Sequence, residues 1–197
     1  MIDEKELQQF VGKMIIDLGA AISVPLVRIG VRLGLYKAMD GAGPMTSAEL
    51  AAKTNISERY AREWLAQNAA SGYLTYDPAS RRFELPLEQA MVFANEESPF
   101  FMGGGFDAVA ALYQTEPLVE RAFQFGGGVD CGDHAGCLFC AVGMMLRPRY
   151  SANIVQNWLP ALDGVVSKLE RGAKVADIGS GTGHSTFIMA KAFPNST

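Results

Sequence analysis

Strong positive charge, abundant cysteine and long unbroken apolar runs are all missing from this sequence, and each absence removes a class of function. The formal net charge is −4. Affinity for phosphate backbones is supplied mainly by clustered Lys and Arg, so nucleic acid is not the expected partner. The longest apolar region, Met14 to Ile29, is broken by Asp17, Pro25 and Arg28 and reads as too interrupted for a bilayer span. The start, Met1-Ile-Asp-Glu-Lys-Glu-Leu, has no basic segment leading into an apolar one and so does not read as a secretory signal. Three cysteines cannot all pair within one chain, which points to a reducing cytoplasm. A Gly-Lys-Ser/Thr triplet is lacking, so a P-loop is excluded. No internal repeat or low-complexity tract stands out. What remains is a chain of 197 residues, 49% hydrophobic and 19% charged, able to bury the core of one or two domains.

Periodicity organises the first half. Phe10, Met14, Ile15 and Leu18 recur at helical spacing, and Leu26, Ile29, Val31, Leu33 and Leu35 continue an apolar face after Pro25, predicting helix from 4 to about 39. After the break at Gly41-Ala-Gly-Pro44, Thr46 and Glu49 form a capping-box pattern that opens a short helix. Ser57 is a plausible N-cap for a helix with Ala61, Trp64, Leu65 and Ala69 on one face, stopped by Gly72. Two β segments, Tyr73–Tyr76 and Arg82–Leu85, flank Asp77-Pro-Ala-Ser80. Helix, turn, helix and hairpin is the layout of a winged helix.

Beyond residue 86 the chain reads as mainly helical, with Phe93, Phe100, Phe101, Phe106, Phe123 and Phe125 concentrated before the glycines at 126–128. These rings suit core packing, or an apolar cavity for a substrate. A polar loop near 130–136 leads to a second helical region from about 137 to 170, with Pro148 and Pro160 as kinks or helix starts.

The most informative stretch is Lys174-Val-Ala-Asp-Ile-Gly-Ser-Gly-Thr-Gly183. A short apolar run, an acidic residue and three alternating glycines precede a segment expected to be helical, with Ile188, Met189, Ala192 and Phe193 on one face. That order is strand, turn, helix. Glycine lets the backbone turn tightly and a ligand approach its N–H groups, and the helix directs its positive end to the same place. Dinucleotide-binding units usually carry Gly-x-Gly-x-x-Gly, whereas here the pattern is Asp-x-Gly-x-Gly-x-Gly. Asp177 suits a ligand with a positively charged portion better than a bare phosphate.

This arrangement resembles motif I of the class I S-adenosylmethionine-dependent methyltransferases. Arg59-Tyr-Ala-Arg-Glu-Trp-Leu-Ala66 with Ser71-Gly-Tyr-Leu74 is similar to the winged-helix segment preceding the catalytic domain of many small-molecule O-methyltransferases. Leu146-Arg-Pro-Arg-Tyr150 through Trp158-Leu-Pro-Ala-Leu162 resembles a bacterial branch with the same two-part layout, some members of which are described as transcriptional regulators. The similarity runs from about residue 20 to 197.

The resemblance implies a mainly α fold with a small winged-helix hairpin, followed by the first βα unit of a Rossmann-like domain. Residues 1–95 would form the N-terminal and dimerisation domain, 96–170 a helical linker and substrate cover, and 171–197 the start of the cofactor domain. It also implies S-adenosylmethionine as cofactor, a small-molecule methyl acceptor, and a homodimer joined through the N-terminal domain. Gly179, Ser180, Gly181 and Gly183 would line the methionine end of the cofactor through their backbones. Asp177 would bind its amino group through water. The acidic residue that holds the ribose, and the later strands, would lie past Thr197. On that basis the chain is expected to be the front part of a larger enzyme, truncated just after motif I and inactive alone. No catalytic residue is identified.

Other clusters compete for attention. Cys131, His134, Cys137 and Cys140 fall at three-residue spacing. Their chemistry suits zinc or an iron–sulfur cluster, but structural sites bring separated ligand pairs together, so no metal is expected and the bland reading is a loop and a helix face. His184, in the first helical turn, reads as neutral and structural. The helix at 57–71 balances Arg59 and Arg62 with Glu58 and Glu63, which favours dimerisation over DNA reading. The alternative function is a winged-helix transcriptional regulator whose methyltransferase-like part senses a ligand.

Overall fold

A computed structural model describes residues 2–197, with Cys137 described in its backbone only. The chain divides into two units, Met1–Ala90 and Met91–Thr197.

The first unit opens with helix α1, Glu4–Arg32. Asp3 starts it by accepting the Lys5 N–H at 2.9 Å and the Glu6 N–H at 3.1 Å, satisfying donors that the first turn leaves unpaired. Pro25 sits inside the helix without ending it. The expected single helix is split instead at Gly34, whose left-handed backbone (φ 67°) separates α1 from α2, Leu35–Met39. By length and composition α1 is apolar enough to cross a membrane, which corrects the reading that Asp17, Pro25 and Arg28 interrupt it too strongly. Its side chains show why the distinction matters: Phe10, Ile15, Ile16, Leu18 and Ile22 are all more than half exposed.

Helix α3, Ser47–Thr54, begins with the expected capping box. Glu49 N–H donates to Thr46 Oγ1, and Thr46 N–H donates to Glu49 Oε2 at 2.7 Å. Helix α4, Glu58–Ala70, follows a turn in which Asn55 takes the left-handed conformation. Ser57 stands at its N-cap but makes no side-chain capping bond. Strands β1, Thr75–Asp77, and β2, Arg82–Glu84, pair antiparallel with Tyr76 opposite Phe83. Met45 pairs with Phe83 on the other edge. The core is built from Val27, Leu35, Tyr36, Leu50, Trp64 and Leu65, all 3% exposed or less. Of the expected α4 face, Ala61, Trp64 and Leu65 are buried, while Ala69 is only half-buried. Asn68 takes the inward place. Its cost is met by hydrogen bonds from Tyr36 Oη at 2.5 Å and to the Trp64 carbonyl at 2.9 Å. Gly30 lets α1 approach that cluster, because a Cβ there would lie 2.5 Å from the Trp64 ring and 2.6 Å from the Tyr36 ring.

Helix α5, Leu87–Phe93, spans the division between the units. In the second unit α6, Gly103–Phe125, packs along α7, Cys137–Asn153. Pro117 and Pro148 lie inside these helices. The close approach is possible because residue 104 is glycine: a Cβ there would come within 2.3 Å of the Ala141 carbonyl oxygen. The phenylalanines divide. Phe93 and Phe101 are buried, whereas Phe100, Phe123 and Phe125 are 62%, 88% and 78% exposed. Helix α7 runs into a π-helical turn, Ile154–Trp158, and the helical path stops before Pro160. Helices α8, Val165–Arg171, and α9, His184–Ala192, complete the chain.

The strand expected at 174–178 is not formed. A strand is defined by its ladder, and the chain alongside supplies a single step: Thr197 N–H donates to the Ala173 carbonyl and Val175 N–H to the Thr197 carbonyl, both at 2.8 Å. That bonding is the slanted pattern of a parallel pair. Ser196 Oγ strengthens it by accepting the Ala173 N–H at 3.1 Å and donating to the Leu169 carbonyl at 2.8 Å. Of the apolar residues expected on one face of α9, Ile188 and Met189 are half-buried, and the Phe193 that follows is buried.

Candidate functional site

Three glycines shape the loop ahead of α9. Gly179, Gly181 and Gly183 have φ of 73°, 58° and 74°, the left-handed region that side chains avoid. The chain reverses at 180–183, where Gly183 N–H donates to the Ser180 carbonyl at 2.9 Å, and α9 begins at once. A Cβ built on any of the three glycines would meet no heavy atom within 4 Å. Backbone conformation therefore requires these glycines, and the space over the loop is open to a ligand. The positive end of the nine-residue α9 faces the same turn.

Asp177 is fixed from the far side of the loop. Ser185 Oγ and Thr186 Oγ1 both donate to its Oδ2 at 2.7 Å. These hydroxyls, Thr186 first and then Ser185, hold its carboxyl below the usual range, so it is an anion at neutral pH. His184 does not enter this network. Its Nε2 lies 3.1 Å from Ser151 Oγ on α7, joining the first turn of α9 to that helix.

Two cavities border the loop. One, of about 240 Å³, lies between Gly179–Thr182 and a face of α7 that includes Leu146, Arg147 and Tyr150. The other, of about 370 Å³, brings Asp177, Gly179 and Ser180 together with Tyr150, Trp158 and Leu162. Tyr150 lines both and meets the Trp158 ring edge-on, with centroids 5.9 Å apart and an interplanar angle of 77°. The five residues expected to hold a cofactor thus occupy one loop. Asp177, Gly179 and Ser180 share one cavity, Gly179, Ser180 and Gly181 share the other, and Gly183 starts the helix.

The facing aromatic and basic residues were absent from that set. Arg147, Tyr150 and Trp158 stand in stretches that resemble the methyltransferase pattern, but their spacing is that of ordinary helix residues. Only the path of α7 and its π-helical turn shows that they face the loop. Ser185 and Thr186 are likewise legible as partners of Asp177 only once the loop has folded.

The remaining clusters gather less. Cys131 and Cys140 are exposed free thiols. Among the described residues no three His, Cys, Asp or Glu side chains group to hold a metal, and the Cys137 side chain lies outside them. On the first unit Arg59 pairs with Glu63 at 3.2 Å, Arg62 with Glu58 at 2.8 Å and Arg82 with Glu49 at 2.9 Å.

Comparison with known proteins fits this geometry. Residues 20–95 match the family model of the Rv2258c-like winged HTH domain, so this part of the chain is a winged helix-turn-helix domain. No curated protein matches the sequence. Among solved structures, an O-methyltransferase family protein from Burkholderia thailandensis superposes with a TM-score of 0.64 at 17% identity, over 100% of this chain and 55% of that one. CalO1, a methyltransferase of calicheamicin biosynthesis solved with SAH, gives 0.62 at 18% identity over 100% and 59%. Human N-acetylserotonin methyltransferase in complex with SAM gives 0.60 at 17% identity over 95% and 57%. The chain spans a little over half the length of these structures. Over that part the chain shares its fold with them.

Proposed function

We propose that this chain is the winged-helix and motif I portion of an S-adenosylmethionine-dependent methyltransferase acting on a small molecule. The observation that carries the reading is the open loop of three left-handed glycines, with an ionised aspartate before it and a helix N-terminus behind it. The likeness to structures solved with SAM or SAH supports it.

The residues fit such a cofactor. Gly179, Ser180, Gly181 and Gly183 would hold the amino-acid end through backbone groups, and Asp177 would attract its ammonium while Ser185 and Thr186 keep the carboxylate ionised. When bound, the cofactor supplies an electrophilic methyl group. This chain's contribution is to orient: Tyr150 and Trp158 line the cavity at the loop and would favour a cation beside their ring faces. Holding acceptor and methyl in line would account for much of the catalysis.

A homodimer belongs to the same proposal. The exposed Phe10, Ile15, Ile16, Leu18 and Ile22 of α1 would be covered by a second copy rather than by a membrane, and the unpaired thiols of Cys131 and Cys140 suit a reducing cytoplasm. Sedimentation at several concentrations tests the dimer. A monomer at all of them would refute it. The alternative, a DNA-binding regulator, is disfavoured because Arg59, Arg62 and Arg82 are already paired with carboxylates.

Calorimetric titration with S-adenosylmethionine and S-adenosylhomocysteine tests the central reading. Binding that is lost in Gly181→Val, with the fold retained by circular dichroism, is the expected result. Equal binding by the variant would overturn the site. Binding of a DNA duplex with steep salt dependence would favour the regulator.

A further inference from the structure

A third cleft shares Trp158 with the cavity at the glycine loop. It measures about 540 Å³ and is lined by Pro99, Phe100, Arg149, Asn153, Asn157 and Trp158, with Ala152 between them. That volume suits a molecule of one or two rings. No acidic side chain lines it, so its one formal charge is the positive charge of Arg149.

We propose that this cleft binds a planar aromatic anion, of the hydroxybenzoate type, beside the glycine loop. Three features converge on that class. The first is aromatic. Phe100 and Trp158 are 62% and 44% exposed, although neighbouring Phe101 is buried. The contrast is built into the chain, because the buried Ser98 accepts the Phe100 N–H on its hydroxyl at 3.1 Å and the Phe101 N–H on its carbonyl at 3.0 Å. The turn sends one ring to the core and the other to the cleft. Two aromatic surfaces at one cleft favour a planar ring between or against them.

The second feature is polar. Asn157 Nδ2 donates to Asn153 Oδ1 at 3.0 Å, and Asn153 Nδ2 donates to the Arg149 carbonyl at 2.9 Å. This ladder fixes both amides along one wall and uses an Asn157 donor internally, leaving its carbonyl oxygen as the acceptor end. A hydroxyl could donate there, while the forked guanidinium of Arg149 matches a carboxylate.

The third feature is position. Trp158 ends the π-helical turn and also lines the cavity containing Asp177, Gly179 and Ser180. Such turns re-aim side chains and recur at functional sites. A ligand against Trp158 in this cleft would therefore neighbour the glycine loop. Naming it the methyl acceptor rests on the proposed function, whereas its binding does not.

The test follows the two indole N–H signals of the full chain by NMR. Trp64 is the internal control, since it is 3% exposed and donates Nε1–H to the Leu26 carbonyl at 2.9 Å. Added 2-hydroxybenzoate should shift Trp158 saturably and leave Trp64 unmoved, with phenol and benzylamine at least tenfold weaker. Arg149→Gln should weaken 2-hydroxybenzoate about tenfold, leave phenol unchanged, and keep the parent's circular dichroism and unliganded Trp158 signal as proof that the second unit is folded. No saturable shift, equal affinity for all three probes, or indifference to Arg149→Gln would overturn the proposal. Binding of 2-hydroxybenzoate without any binding of S-adenosylhomocysteine would uphold this cleft and refute only its role as an acceptor site.

Discussion

Ser185 donates its hydroxyl to Asp177 Oδ2 at 2.7 Å, and Thr186 donates a second to the same oxygen. The helix after the glycine loop thereby fixes the acidic residue before it through one of its two oxygens. Because the carboxyl is depressed in the fold, its contribution to stability is present above its ordinary range near 3.8 and is lost as pH falls through the lower folded value. In Ser185→Ala/Thr186→Val the Asp177 carbon signal should titrate nearer 3.8, and the stability difference from the parent should shrink on acidification. A titration unmoved by the double substitution would remove the hydroxyls as its cause.

This network also shows where sequence reasoning stops. The glycines and Asp177 are legible because backbone conformation and charge restrict which residues can stand there. Thr46 and Glu49 are legible because a capping box is local. Asn68 is not, since burial of an amide depends on Tyr36, 32 residues away. Tyr150 and Trp158 are not, since an ordinary helical period says nothing of a π-helical turn. The apolar run Val175, Ala176 and Ile178 predicts a strand, but a ladder belongs to the neighbouring chain as much as to the run itself. The Phe-rich stretch carries rings for the core, for a cleft and for solvent, and composition cannot sort them.

Glu49 joins the capping box to the wing. Arg82 reaches it with both guanidinium nitrogens, at 2.9 Å and 3.0 Å. The Thr46 backbone N–H, followed by Arg82 and the Thr46 hydroxyl, brings the Glu49 carboxyl down to about 2. Its linked stability is therefore full above about pH 4.5 and is lost as pH falls towards 2. Glu49→Gln should remove this part of the acid dependence, seen in thermal unfolding between pH 2 and pH 5. The pair is solvent-exposed, so added salt should reduce the effect. An acid limb identical in parent and variant would show that the contact does not stabilise the domain.

Packing of α6 on α7 depends on Gly104. An added Cβ would lie 2.3 Å from the Ala141 carbonyl oxygen and 3.0 Å from Met145 N, both backbone atoms that cannot step aside alone. Gly104→Ala should cost roughly 1–3 kcal/mol, the usual range for overpacking. The control is Gly12→Ala, where nothing lies within 4 Å and a helix gains the better former. Denaturant unfolding of the two variants should move in opposite directions. If Gly104→Ala is neutral, the helices are further apart than this packing requires.

The buried pair Tyr36 and Asn68 sets the last prediction. Removing the hydroxyl in Tyr36→Phe deprives Asn68 Oδ1 of its 2.5 Å bond inside the core. An unsatisfied buried acceptor costs about 1–3 kcal/mol, whereas replacing both polar partners with apolar groups costs less than two separate losses. Tyr36→Phe and Asn68→Leu should each destabilise the first unit, and the double variant should be less destabilised than their sum. Trp64 fluorescence can follow the unfolding, since its ring meets Tyr36 edge-on at 4.9 Å. Alkali supplies an independent readout. Burial, and secondarily the charge of Tyr73, raises the Tyr36 hydroxyl above its ordinary value of 10.0. The stability linked to that proton is full below about pH 10 and is lost as pH rises towards the folded value. Tyr36→Phe should be less stable at neutral pH yet lose that part of the alkaline decline. Strict additivity in the double variant would indicate two independent contacts, and an unchanged alkaline limb would assign the decline to other groups.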